Sequence, residues 1–120
     1  MAYVSSLVMK LIKAIIQPFK LEETKRALEN IGVPGMTVTE VKGYGQFKSS
    51  LSLGYFDQNI VDFSPSIVLD IVVHTERAQA VVDAIIRATK TGKMGDGKIF
   101  ILPVEDVIRI RTGESGASAL

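Results

Sequence analysis

The chain has 120 residues, 47% of them hydrophobic and 22% charged, with a formal net charge of +1. That length and composition suit one domain with a real core, and the near-neutral charge offers no broad basic field for nucleic acid. With no cysteine and one histidine, His74, disulfides, cysteine-ligated metal and a multi-histidine metal site within one chain are excluded.

No run reaches the roughly 20 apolar residues that span a bilayer, so direct membrane insertion is not expected. The opening stretch MAYVSSLVMKLIK lacks the ordered n-region, long apolar core and cleavage site of a signal peptide. Residues 1–8 read as an N-terminal extension ahead of the first strand, and the chain as cytoplasmic. Leu11 to Ile16 (LIKAII) is a short apolar run stopped by Pro18, which predicts a strand. From Leu21 to Ile31, Leu21, Thr24, Ala27, Leu28 and Ile31 share one face of a helix, with Glu22, Glu23, Lys25 and Arg26 mostly on the other. Gly32 and Pro34 end it. Thr37 to Lys42 (TVTEVK) alternates and is β-rich, a second strand.

The pattern then repeats. Ile67 to Val73 (IVLDIVV) predicts a strand, followed by a helix capped at Thr75 and running to about Thr89, with Ala78, Val81, Val82, Ile85 and Ile86 inward. Lys98 to Leu102 (KIFIL) is the fourth strand. Two successive β-α-β units predict an α+β fold, the ferredoxin-like βαββαβ sandwich: four antiparallel strands with two helices on one face. IVLDIVV is apolar at nearly every position, which suits burial on both sheet faces, yet helices cover only one. Self-association is the economical expectation for the other.

The segment between the halves, Gly43 to Pro65 (GYGQFKSSLSLGYFDQNIVDFSP), is too long for an ordinary connection. Its serines and its aromatics Tyr44, Phe47, Tyr55 and Phe56 suggest an arm that contacts a partner, against the plainer reading of a hairpin packed on a neighbour. Downstream, TGKMGDGKIF (Thr91 to Phe100) holds three glycines, an aspartate and two lysines. Glycines permit close approach of the backbone, successive N–H groups can face an anion, and Lys93 and Lys98 add charge. Arg109 and Arg111 would share a face if extended and grip phosphate with paired hydrogen bonds. A tight turn and a solvated basic edge are the plainer alternatives, and Asp96 is open to two roles, holding the turn or touching ligand. The P-loop pattern GxxxxGK[ST] is absent. His74 reads as a turn residue, and Met36 and Met94 as packing groups.

Taken together, MKLIKAIIQPFKLEETKRAL, IGVPGMTVTEVKGYG and TGKMGDGKIFILPVEDVIRIRTGE resemble the PII family of nitrogen-regulatory signal-transduction proteins over 9–114. The resemblance implies a non-enzymatic homotrimer of ferredoxin-like subunits that binds ATP or ADP, with AMP a third candidate, in clefts between subunits. Carried over by position, Gly95, Asp96, Gly97 and Lys98 would cradle the phosphates, and Arg109 and Arg111 would reach them from the neighbouring subunit. Gly35, Met36 and Thr37 would lie around the adenine, with Val72, Ile15 and Gly45 as further walls. The long loop corresponds to the T-loop, taken as 45–62, which docks on targets; Phe47, Lys48, Tyr55 and Phe56 are its candidate partner-binding residues. The target class is a membrane transporter or a metabolic enzyme, and residues 115–120 are expected as a flexible tail.

The loop departs from the family pattern. Where the family has Arg-Gln, this chain has Gln46-Phe47, and phenylalanine offers no oxygen to the magnesium that carries 2-oxoglutarate. The lysine expected to pair with the 2-oxoglutarate carboxylate is Ser66, and the tyrosine uridylylated in some members is Asn59. The expectation is a rewired sensor with weak or absent magnesium-dependent 2-oxoglutarate binding and a small anionic co-effector, bicarbonate being the candidate, in inorganic-carbon metabolism. The alternatives are a conventional nitrogen regulator responding to ATP, ADP and 2-oxoglutarate, a weak ATPase, and a trimer that has lost its ligands.

Overall fold

The computed structural model describes residues 8–44 and 63–120. Gly45, Phe47, Lys48, Tyr55 and Phe56, with the rest of 45–62 and residues 1–7, lie outside the described residues. The elements are β1 (Met9–Ile16), α1 (Leu21–Asn30), β2 (Thr37–Gly43), β3 (Ser64–His74), α2 (Thr75–Thr89) and β4 (Lys98–Pro103), with short 3-10 turns at Pro18–Lys20 and Ala117–Ala119. The sheet runs β2-β3-β1-β4, antiparallel at each described pairing. This is the expected ferredoxin-like α+β sandwich. No described helix is long and apolar enough to cross a membrane.

Alternation in the two central strands sorts the layers. Ile12, Ala14 and Ile16 of β1 and Ile67, Leu69, Ile71 and Val73 of β3 are buried, packed with Leu28 of α1 and Val81, Ala84 and Ile85 of α2. Burying a side chain of this size stabilises by roughly 1.5–3 kcal/mol, so this layer supplies the main driving force. The inward stripe of α2 is Val81, Ala84, Ile85 and Thr89, whereas Ile86, expected inward, is 43% exposed. A 3.6-residue period puts Ile86 one step around the helix from Ile85, on the flank facing the mouth beside β4. Two buried threonines are accommodated because each hydroxyl bonds back to the carbonyl four residues earlier, Thr24 to Lys20 and Thr89 to Ile85, both at 2.8 Å.

Helix ends follow local chemistry. After α1, Gly32 (φ +84°) lets Val33 N–H donate to Leu28 O and Gly32 N–H to Glu29 O, a Schellman closure sealed by the buried Leu28 and Val33 side chains. Arg77 of α2 also donates to the Ile31 carbonyl, tying the two helices together. Helix α2 starts on Thr75, with His74, not Thr75, in the cap position and no side-chain cap bond from it.

Among the described residues, no helix lies on the opposite sheet face. Register places Leu11, Val72 and Leu102 in one row, Lys13, Asp70, Phe100 and Thr37 in the next, and Ile15, Val68, Lys98 and Thr39 in the third. Val72, Phe100 and Leu102 are exposed. Lys13 Nζ and Asp70 Oδ1 form an ion pair at 2.8 Å in the middle of this face.

Candidate functional site

The glycine-rich segment connects α2 to β4. It follows the C-terminal end of a helix, where the backbone dipole presents its negative end. Attraction for an anion therefore has to come from the loop's own N–H groups and lysines. The loop is shaped by one side chain. Asp96 Oδ2 accepts from the main-chain N–H of Thr91 (2.8 Å) and Gly92 (2.9 Å), and Oδ1 accepts from the Thr91 hydroxyl (2.5 Å). The Thr91 oxygen in turn accepts from Lys93 N–H at 3.2 Å. The Thr91 hydroxyl first, and then the two main-chain donors, hold the Asp96 carboxyl below the usual aspartate range. Of its two expected roles, Asp96 fills the turn-holding one here. Thr91, Gly92 and Lys93 thus spend their N–H groups inside the loop.

Gly97 is tightly constrained. Its φ is +106°, and a Cβ there would stand 1.8 Å from the Ile15 main-chain oxygen. The loop backbone thus lies directly on β1, where no other residue fits. Gln17, just beyond β1, secures the other side by donating from Nε2 to Gly95 O at 2.9 Å. Residue reading alone did not single out Gln17; its only local signal is a polar residue between an apolar strand and Pro18. Ile15, Asp96, Gly97 and Lys98 line one cavity of about 350 Å³ together with Lys90 and aliphatic side chains of α2 and β4.

The other expected positions lie elsewhere. Gly35 and Met36 line a cavity of about 330 Å³ between α1 and β2, and Thr37 opens β2. Val72 belongs to the open sheet face. Ile110 to Thr112 form a turn, so Arg109 and Arg111 are set by turn geometry and not by strand alternation. The Arg109 guanidinium donates through Nη1 to Glu114 Oε1 (3.0 Å) and through Nη2 to the oxygens of Ala119 (3.3 Å) and Leu120 (3.2 Å). Residues 115–120, expected as a flexible tail, carry the 3-10 turn Ala117–Ala119, with Ala119 buried. Ser66 lies at the base of the long loop in a cavity of about 470 Å³, with Pro18, Glu40, Val41, Lys42, Pro65 and Ile67. Among the described residues no cluster of three or more His, Asp or Glu is placed to hold a metal ion.

One geometric fact governs how these pieces could combine. The glycine-rich loop joins β4 at one sheet edge, and Gly35-Met36-Thr37 enters β2 at the other. Thr39 and Lys98 share a row with Val68 and Ile15 between them, three strand spacings apart, or roughly 14 Å. Within one chain the two groups therefore sit on opposite edges of the sheet.

The sequence matches the family described as Nitrogen regulatory protein P-II over residues 9–114. It is 51% identical over 112 residues to "Nitrogen regulatory protein P-II" of Rhizobium meliloti (strain 1021), covering 93% of this chain and 100% of that protein. Identity is also 51% to the protein of the same name from Cereibacter sphaeroides, with the same coverage. Among solved structures, "Crystal Structure of Arabidopsis thaliana PII bound to citrate" superposes with a TM-score of 0.78 at 36% identity, covering 94% of this chain and 92% of that one. The family is named for regulation and not for a catalytic activity. With the match spanning the strands, both helices and the glycine-rich loop, the chain belongs to the nitrogen regulatory protein P-II family.

Proposed function

We propose that this protein is a non-enzymatic signal-transduction regulator that binds adenine nucleotides, ATP and ADP with AMP a third candidate, between subunits of a homotrimer and acts on a target protein through segment 45–62. The observation that carries this reading is the placement of the two half-sites on opposite edges of one sheet. The Asp96-clamped loop, with Lys90 and Lys98, supplies the anion-binding half. Gly35 and Met36, in a largely apolar cavity, with Thr37 next in the chain, supply the half for a flat base. A second copy docked on the open sheet face would bring one edge against the other and cover Val72, Phe100 and Leu102 at the same time. Nucleotide occupancy shifts the target-binding segment only in so far as ATP and ADP favour different arrangements of it.

Calorimetric titration of the purified protein with ATP, ADP and AMP tests the reading, with Lys98→Ala as the control. Binding to the wild type, weakened roughly tenfold or more in Lys98→Ala, is expected for loss of a charged phosphate contact. No binding, or binding indifferent to Lys98, overturns it.

The name shared by the relatives favours nitrogen metabolism as the setting, and the family resemblance adds 2-oxoglutarate as the co-effector of that arrangement. Phe47 and Ser66 favour the other arrangement, a sensor of a different small anion such as bicarbonate, because neither residue can replace the magnesium ligand or the cation of the usual site. The same titration decides between them when ATP is repeated with magnesium plus 2-oxoglutarate, and then with bicarbonate.

A further inference from the structure

The residue proposed to grip phosphate is already occupied by the chain itself. Arg109 makes three hydrogen bonds, one to the Glu114 carboxylate and two to the main-chain oxygens of Ala119 and Leu120. Both terminal nitrogens are engaged, and these form the fork that a bidentate phosphate contact would use. The arrangement is built by the backbone and is not a chance surface pairing. Arg109 N–H donates to Glu114 O (2.8 Å), Gly113 N–H returns to Arg109 O (2.7 Å), and Ile108 bridges Ser115. Gly116 N–H then reaches Val107 O (3.0 Å) and Asp106 Oδ1 (2.9 Å), which turns the chain back over the hairpin. The 3-10 turn that follows buries Ala119 and delivers the two oxygens to the guanidinium.

We propose that Glu114 and the turn at 117–120 form an internal latch that competes with nucleotide phosphate for Arg109. This inference rests on the reading of Arg109 as a phosphate ligand. Glu114 neutralises the guanidinium, while the two oxygens satisfy the donors a phosphate would otherwise take. Phosphate must displace both before Arg109 can turn to it. The Arg109 and Glu114 side chains are each more than a third exposed, so the latch is weak enough to be displaced by a multiply charged ligand. Nucleotide binding and release of the 117–120 turn are then one coupled equilibrium. The turn becomes a second element, besides the long loop, whose conformation reports occupancy.

The test compares ATP affinity of the full chain with Glu114→Gln, with a variant ending at Gly116, with Arg109→Ala, and with Glu114→Gln combined with Arg109→Ala. Glu114→Gln keeps the shape of the contact and removes its charge, so it reads the latch even if shortening the chain disturbs the fold. Tightening of roughly three- to tenfold in Glu114→Gln is expected. It should vanish in the Arg109→Ala background. ATP should also speed hydrogen exchange at the Ala119 and Leu120 amides, which bond within the turn to Gly116 and Ala117. Unchanged or weaker ATP binding in both Glu114→Gln and the shortened chain, while Arg109→Ala still weakens it, overturns the latch and leaves the phosphate role standing. Arg109→Ala binding as tightly as wild type overturns the phosphate role, and the latch with it. If the full chain binds no ATP, binding gained on shortening supports the latch, and none gained overturns it.

Discussion

A Cβ on Gly97 would stand 1.8 Å from the main-chain oxygen of Ile15, far inside any contact distance. The glycine-rich loop is therefore fastened to β1 through bare backbone, at a left-handed φ of +106°. Gly97→Ala has no flexible neighbour to push aside, since the obstruction is main chain. It should cost on the order of 3 kcal/mol, from backbone strain and steric displacement together. Thermal unfolding should show the loss, and ATP binding should fall with it. A Gly97→Ala protein of wild-type stability would mean that the loop does not lie on β1.

The Asp96 clamp makes a prediction about pH. Hydrogen bonds from Thr91 and Gly92 favour the ionised carboxylate and lower its pKa in the folded chain. The stabilisation is fully present above the ordinary aspartate value of about 4, and is lost as pH falls through the lowered folded value. Exchange protection of the Thr91 and Gly92 amides should be flat from about pH 5 upward and decline in more acid solution. Asp96→Asn, which keeps the shape but not the charge, should loosen the loop above about pH 5, converge with the wild type in acid, and weaken ATP binding roughly three- to tenfold. Tighter ATP binding in Asp96→Asn would show that the carboxylate opposes the phosphates instead of shaping their cradle.

Gln17→Ala removes one neutral hydrogen bond, to Gly95 O. A loss of about 1 kcal/mol or less is expected, with a several-fold drop in ATP affinity because the loop is freer before binding. Gln17→Glu should be worse than alanine, since it places a carboxylate against a carbonyl and beside the phosphates. Equal affinities for all three proteins would separate Gln17 from the site.

Three exposed apolar residues on the sheet face opposite α1 and α2, Val72, Phe100 and Leu102, carry the expectation of assembly. Phe100→Asp places a charge beside the Lys13–Asp70 ion pair, with Asp70 already on that row. Sedimentation should show the wild type at the mass of three chains and Phe100→Asp dissociated. The substituted protein should also lose nucleotide binding, because the two half-sites are on opposite sheet edges. Full ATP affinity in a monomer would contradict a site shared between subunits.

Ser66 lines the cavity at the base of the long loop beside Glu40 and Lys42. Ser66→Lys restores a cation where the family resemblance places one. With Phe47→Gln, it should confer a magnesium-dependent 2-oxoglutarate effect on ATP affinity that the wild type lacks. An effect already present in the wild type would return the protein to the usual co-effector arrangement.

Local chemistry was sufficient for much of this protein. The apolar runs LIKAII and IVLDIVV, the amphipathic stripe of α1 and the Gly32 stop all depend on neighbours within a few residues, so the elements and their order could be read directly. The glycine-rich segment likewise announced a backbone that must approach something closely. What it approaches, Ile15, was not legible, because that contact depends on how β4 registers against β1, 80 or so residues away in sequence. Asp96 shows the same limit: its choice between turn and ligand is made by where Thr91 and Gly92 place their donors. Arg109 and Arg111 would share a face only if extended, but residues 110–112 form a turn, and Arg109 is met by residues 114, 119 and 120. Periodicity alone points Ile86 inward, but the edge position of β4 leaves it at an open flank. Residue types and spacing thus determined the elements and the chemistry on offer. The tertiary fold decided which groups meet, because register, sheet order and chain reversal set distances that no local pattern contains.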